Sequence, residues 1–147
     1  RADEVAQGIT EGMDLCPESD FAWEWPTGAV RGWRGRAIQR LLQKARDLNR
    51  PVYWCRFHGF AYGLKFREIP ILKGWTVLTT NCRLWLSLQK KCPGHVEHAE
   101  CRGVAAQASA YYPPAMVRAV TQAISNGWLD HEAQQGISLV SDTGTYV

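Results

Sequence analysis

The sequence has no run approaching the roughly 18 to 20 consecutive apolar residues that a membrane-spanning helix needs. Its first thirty residues contain no basic stretch followed by an apolar one, so no secretory signal is read there. An initiator Met is also missing: the chain starts at Arg1, as expected of a processed product or an excised domain. Gly-x-Gly-x-x-Gly, the Walker A loop, Gly-x-Ser-x-Gly and His-Glu-x-x-His do not occur. Their absence argues against dinucleotide oxidoreductases, nucleotide hydrolases, serine hydrolases and zincins. The cysteines do not pair off, because there are five, whereas a secreted disulfide framework usually has an even count. Reduced, buried or metal-binding thiols fit better, with two disulfides and one free Cys as the alternative. The expectation is an intracellular protein, nuclear or cytoplasmic, with no membrane contact.

Acids are scarce in the middle of the chain. Residues 1–30 hold seven acids against Arg1, a net charge of −6, and residues 104–147 a net −2. Residues 31–103 hold fifteen Lys and Arg against Asp47, Glu68, Glu97 and Glu100, a net +11. The total of +3 therefore conceals a basic centre that would attract a polyanion if displayed on one face. Folding of the acidic N-terminal segment over that centre would neutralise it instead.

The 147 residues suffice for one ordinary core, and 46% of them are hydrophobic. Seven Trp supply large buried area to a domain of this size. A single domain over 1–147 is read, with an acidic segment at 1–20, a core at 21–127 and a polar tail at 128–147. Ala2–Met13 reads as a short helix ending near Gly12. Phe21-Ala-Trp-Glu-Trp25 alternates with period two, rings on one face and Ala22 and Glu24 on the other, so it reads as a strand stopped by Pro26. Ile38, Leu41, Leu42, Ala45 and Leu48 form one stripe of a helix from about Trp33 to Leu48. Strands are predicted at 51–57 and 75–80, and a helix capped by Asn81 runs to Lys91. Residues 104–112 are ambiguous, Pro113-Pro114 opens a last long helix closed by Asn126-Gly127, and a short strand is placed at Ile137–Val140. The order predicts an α/β fold, a small mixed sheet of three to four strands flanked by helices and carrying a Cys/His metal loop.

That loop is Cys92-Pro-Gly-His95-Val-Glu-His98-Ala-Glu-Cys101. Cys92, His95, His98 and Cys101 stand at every third position and supply the two thiolates and two imidazoles of a tetrahedral zinc site. Pro93-Gly94 breaks the backbone, so that the first pair can turn back on the second. Buried thiols with surface His are the plainer alternative, and Cys82 or the Cys55/His58 pair can replace one ligand. A closed shell would be structural, since catalytic zinc keeps an open position. His95-Val-Glu97 matches the start of the zinc deaminase signature, but the downstream Pro-Cys-x-x-Cys is absent.

Three further features carry potential chemistry. Glu24, beside Trp23 and Trp25, is a candidate general acid or base-reading group, with His58 and Tyr62 around Gly59 and Gly63 as supporting residues. A solvent-facing Glu paired with Arg31 or Arg34, and a simple glycine bend, are the plainer readings. The basic set Arg31, Arg34, Arg36, Arg40 and Lys44, with Trp33 among it and Trp54 nearby, is the candidate surface for gripping phosphates and stacking bases of DNA or RNA. The acidic segment or a Trp-rich surface would serve a partner protein.

Trp23-Glu-Trp-Pro26, the basic helix, Phe60-Ala-Tyr-Gly63 and Lys65-Phe-Arg67 followed by the 75–80 strand stand in an order that resembles the C-terminal half of cytosine-C5 DNA methyltransferase catalytic domains. The resemblance spans residues 21–80. It implies that Glu24 would hold a target base and that Arg67 would lie near a flipped nucleotide. The Pro-Cys nucleophile loop and the S-adenosylmethionine loop are missing, so a methyltransferase-like relic that does not methylate alone is implied. Cys92…Cys101-Arg-Gly103 with Tyr111-Tyr-Pro-Pro114 resembles segments of mobile-element polyproteins. The expected function is a zinc-stabilised nucleic-acid-binding domain, either part of a larger polyprotein or a methyltransferase-like relic. A nucleotide- or nucleic-acid-processing enzyme and a protein-interaction module are the alternatives.

Overall fold

The computed structural model describes residues 2–94 and 97–127. Helix α1 (Ala2–Leu15) buries Ala6 and Met13, with Ala2 and Ile9 packed beside them, a stripe at helical spacing. It passes Gly12, where its end was expected, and stops before Pro17, whose ring keeps the preceding residue out of the helical region. The helix expected from about Trp33 begins at Arg36 as α3 (Arg36–Asp47), and a separate short helix that was not expected, α2 (Val30–Trp33), precedes it. Gly35 between them is extended, with φ −61° and ψ 153°. Glycines propagate a helix poorly, and a Cβ on Gly35 would stand 2.9 Å from the Asp3 carboxylate. The bare backbone thus lets the start of α1 close on the start of α3. Ile38, Leu41 and Ala45 of α3 are buried, as their spacing predicted.

Strands β1 (Ala22–Pro26), β2 (Tyr53–His58) and β5 (Gly74–Thr79) form one sheet in the order β1-β5-β2. Both pairings are antiparallel. The expected mixed sheet is corrected accordingly: β2 and β5 are joined by a 3-10 turn (Gly59–Tyr62) and a hairpin, not by the crossover helix a parallel return needs. The hairpin, β3 (Lys65–Phe66) with β4 (Ile69–Pro70), is a separate two-stranded sheet. Arg67 does not lie in a strand. It shares the turn with Glu68, both at positive φ, and stacks its guanidinium over the Phe66 ring.

Central β5 is buried on both faces from Trp75 to Thr79, and the hydroxyls of its buried Thr76 and Thr79 bond Thr27 and the Phe21 carbonyl. On one face Trp23 and Leu78 meet Ala6 and Met13 of α1 and Ile38 and Leu41 of α3. On the other, Cys55, Phe57, Trp75 and Val77 meet α4 (Cys82–Ser87) and helix α6 (114–127). The result is helix, sheet and helix in three layers, an α/β arrangement with two cores sharing one sheet.

Asn81 caps α4 as predicted, accepting from the Leu84 amide at 2.9 Å. The helix ends at Ser87 rather than Lys91 because tertiary donors take its final carbonyls. Tyr62 Oη donates to Ser87 O and Cys55 Sγ to Leu88 O, both at 2.8 Å. The ambiguous stretch contains a short helix, α5 (Gly103–Ala108). The tail 128–147, with the strand expected at Ile137–Val140, lies outside the described residues. No described helix is long and apolar enough to cross a membrane.

Candidate functional site

The period-two pattern of β1 decides which groups meet. Trp23 and Trp25 go to the α1/α3 face, and Glu24 to the other. On the first face, the turn at Thr27 and helix α2 fold Trp33 back over the sheet. Its ring centroid lies 5.2 Å from that of Trp23 and 5.0 Å from that of Trp54, an edge-to-face contact in the second case. Trp54 projects from β2, an edge strand, and is 39% exposed. Two residues on, Arg56 projects on the same side of that strand.

Trp33, Trp54, Arg34, Arg56, Val30, Thr27 and Thr76 surround an open hollow of about 510 Å³. The hydroxyls of Thr27 and Thr76 are 2.9 Å apart at its floor and bond one another. Arg34 and Arg56 are exposed, and neither forms an ion pair with any described residue. The hollow therefore combines exposed π surface with guanidinium charge that no described acid offsets. Arg56 was not singled out in the sequence, although its alternation with Trp54 was a usable signal.

The rest of the predicted basic set is divided. Arg31 is exposed on α2, next to this hollow in sequence. Arg36 and Arg40 are exposed along α3, but they line a different hollow, of about 460 Å³, together with Asp3 and Glu11 of α1. Lys44 pairs with Asp14, and Arg50 with Asp20 at 2.6 Å. The acidic N-terminal segment thus folds along the basic stripe of α3 and offsets part of its charge, while Arg34 and Arg56 escape it.

Glu24, His58 and Tyr62 are not assembled into one centre. Glu24 lies on β1 and His58 on β2, the two opposite edges of the sheet. His58 Nδ1 accepts from the Cys92 amide at 3.2 Å. Tyr62 is buried with its hydroxyl committed to Ser87 O, and desolvation raises its pKa above the ordinary 10.0. Glu24 instead meets Tyr112, which donates to Glu24 Oε2 at 2.6 Å. This bond, burial and the carboxylate charge together push the Tyr112 hydroxyl up to about 12. Tyr112 comes from the loop before α6, and no local pattern links it to β1.

In the Cys/His run, Cys92 Sγ and His98 Nε2 are 3.2 Å apart. Cys101 Sγ lies 3.6 Å from the hydroxyl of Ser109. His95 is outside the described residues, and among the described residues no three Cys, His, Asp or Glu form a metal-binding group. The run thus brings one thiol and one imidazole together, with Pro93-Gly94 supplying the bend and Gly94 at φ 100°. Cys55, the suggested replacement ligand, is buried against the Leu88 carbonyl, and desolvation pushes its thiol up to about 11. That environment disfavours the thiolate a metal needs. No protein-family model, no curated protein and no solved structure matches the chain.

Proposed function

We propose that the chain binds single-stranded DNA or RNA across the hollow between α2 and the β2 edge. The supporting observation is the contact of Trp33 with Trp54 beside Arg34 and Arg56, which pair with no described acid, around one open concavity. Exposed indole faces accept any base by stacking, and adjacent guanidiniums take the phosphates and release counterions. The hollow is too polar to suit a small apolar ligand, and Arg31 extends its charge along α2. In this reading zinc is a clip for the 92–101 segment, with Cys92 and His98 as two of its ligands and His95 and Cys101 completing the shell.

Fluorescence anisotropy with labelled oligo-dT and oligo-U tests the reading. Binding is expected at low salt and should weaken steeply between about 50 and 200 mM salt. Trp54→Ala should weaken it by about 1 to 3 kcal/mol, and Arg34→Ala or Arg56→Ala should also lower the salt slope. Absence of binding at low salt, or binding indifferent to all three substitutions, would overturn it.

A further inference from the structure

The face of β1 opposite its tryptophans places a carboxylate against an apolar wall. Glu24 borders a cavity of about 310 Å³ whose other walls include Val77 of β5, Leu84 and Leu88 at α4, and Met116 and Val120 of α6. That volume is at the lower end of the range for small-molecule pockets. Among the described residues, Tyr112, Thr121 and Glu24 are the polar side chains of the lining, and no Lys, Arg or His lines it.

Hydrogen-bond accounting shows what this cavity lacks. The Thr121 hydroxyl donates to Val117 O at 2.9 Å within α6. The Tyr112 hydroxyl donates to Glu24 Oε2, and its ring packs on Trp75 with centroids 5.7 Å apart. Glu24 Oε1 is buried and has no hydrogen-bond partner among the described residues. An unmatched acceptor in such a place costs on the order of 1 to 3 kcal/mol, and more when it carries charge. The missing group is therefore a donor, and a cationic donor satisfies both the lone pairs and the charge.

We propose that the cavity binds a small organic cation, a protonated amine with an apolar or aromatic body. The body would fill the space between β5, α4 and α6, and the ammonium would donate to Glu24 Oε1. Tyr112, by occupying Oε2, holds the carboxylate in place for that contact. This site lies on the opposite face of the sheet from the Trp/Arg hollow, so it stands independently of nucleic-acid binding.

The probes are benzylamine and its neutral counterpart of similar shape, benzyl alcohol, titrated separately into the full chain near neutral pH and followed by NMR. Benzylamine should saturate and bind at least about tenfold tighter than the alcohol, the discrimination expected of a charge-assisted bond. Its perturbations should centre on Val77, Leu88 and Val120. Glu24→Gln should cut benzylamine affinity about tenfold and leave the alcohol unchanged. Val120→Trp, which fills the cavity, should abolish both. Failure of benzylamine to saturate, equal affinity for the two probes, or perturbations centred elsewhere would overturn the proposal. The wild-type comparison decides the matter even if a variant fails to fold.

Discussion

Tyr112 donates its phenolic hydrogen to Glu24 at 2.6 Å across 88 residues of sequence, tying the loop before α6 to the first strand. The bond requires a neutral phenol, so the Tyr112 pKa in the folded state, about 12, exceeds the ordinary 10.0. A raised value of this kind means that the bond stabilises the fold fully below about pH 10. Its contribution falls as pH rises toward 12 and is gone above that. Tyrosinate absorbance should show one residue ionising after the others. Glu24→Gln, which removes the charge, should bring that last inflection down, and Tyr112→Phe should delete it. An unchanged alkaline limb in Tyr112→Phe would refute the assignment.

The acidic segment that lies along α3 should act as a brake on polyanion binding. Asp3 and Glu11 share a hollow with Arg36 and Arg40, and Asp14 pairs with Lys44. Neutralising Asp3 and Glu11 together, as Asn and Gln, should tighten oligonucleotide binding several-fold at low salt, with the gain shrinking as salt screens it. Unaltered affinity would mean that Arg36 and Arg40 lie outside the contact surface, leaving Arg34 and Arg56 to carry it.

Packing around the shared sheet gives a sharper contrast. Leu78 is fully buried at the centre of β5, facing Trp23 and Trp54 in register. Leu78→Ala should cost about 2 to 5 kcal/mol in denaturant unfolding. Gly59→Ala fails for the opposite reason: its Cβ would stand 2.7 Å from Leu64 Cδ2 and 3.0 Å from the Trp75 ring. Overpacking of that kind costs about 1 to 3 kcal/mol. Gly63 has open space but a φ of +90°, so Gly63→Ala should cost only about 1 kcal/mol, from backbone strain. A ranking in which Gly63→Ala is the most damaging would contradict this account.

What was legible in the sequence follows the range of the interactions. The period-two rings of β1, the stripe on α3 and the cap at Asn81 are local patterns, and each sits in the structure where its spacing put it. The antiparallel return of β5 was not legible, because strand direction depends on what fills the connection. The early end of α4 was hidden for a similar reason: the donors that claim its carbonyls are Cys55 and Tyr62, some thirty residues earlier. At the candidate interface, Trp33 and Arg34 were visible as a basic aromatic run; alternation put Arg56 on the side of Trp54, but that both face Trp33 follows from the register of β2 with β5. Likewise Tyr112 reaches Glu24 through the placement of α6, which no window of sequence contains.

The five thiols differ enough in surroundings to report on the proposed zinc clip. Cys16 and Cys82 are exposed, Cys92 and Cys101 half-buried, and Cys55 buried with its thiol held up to about 11. Near neutral pH Cys55 is almost wholly protonated and shielded, so it should not react with a thiol reagent until the chain unfolds. Cys16 and Cys82 should react at once whether or not metal is bound. Cys92 and Cys101 discriminate: with zinc they should be protected and become reactive on chelation, as metal-held thiolates do. The expected count is two fast thiols in the zinc-loaded protein and four after chelator, with one stoichiometric zinc released. Four fast thiols before chelation, without metal in the purified protein, would leave Cys92 and His98 as a bare hydrogen-bonded pair and remove zinc from the fold.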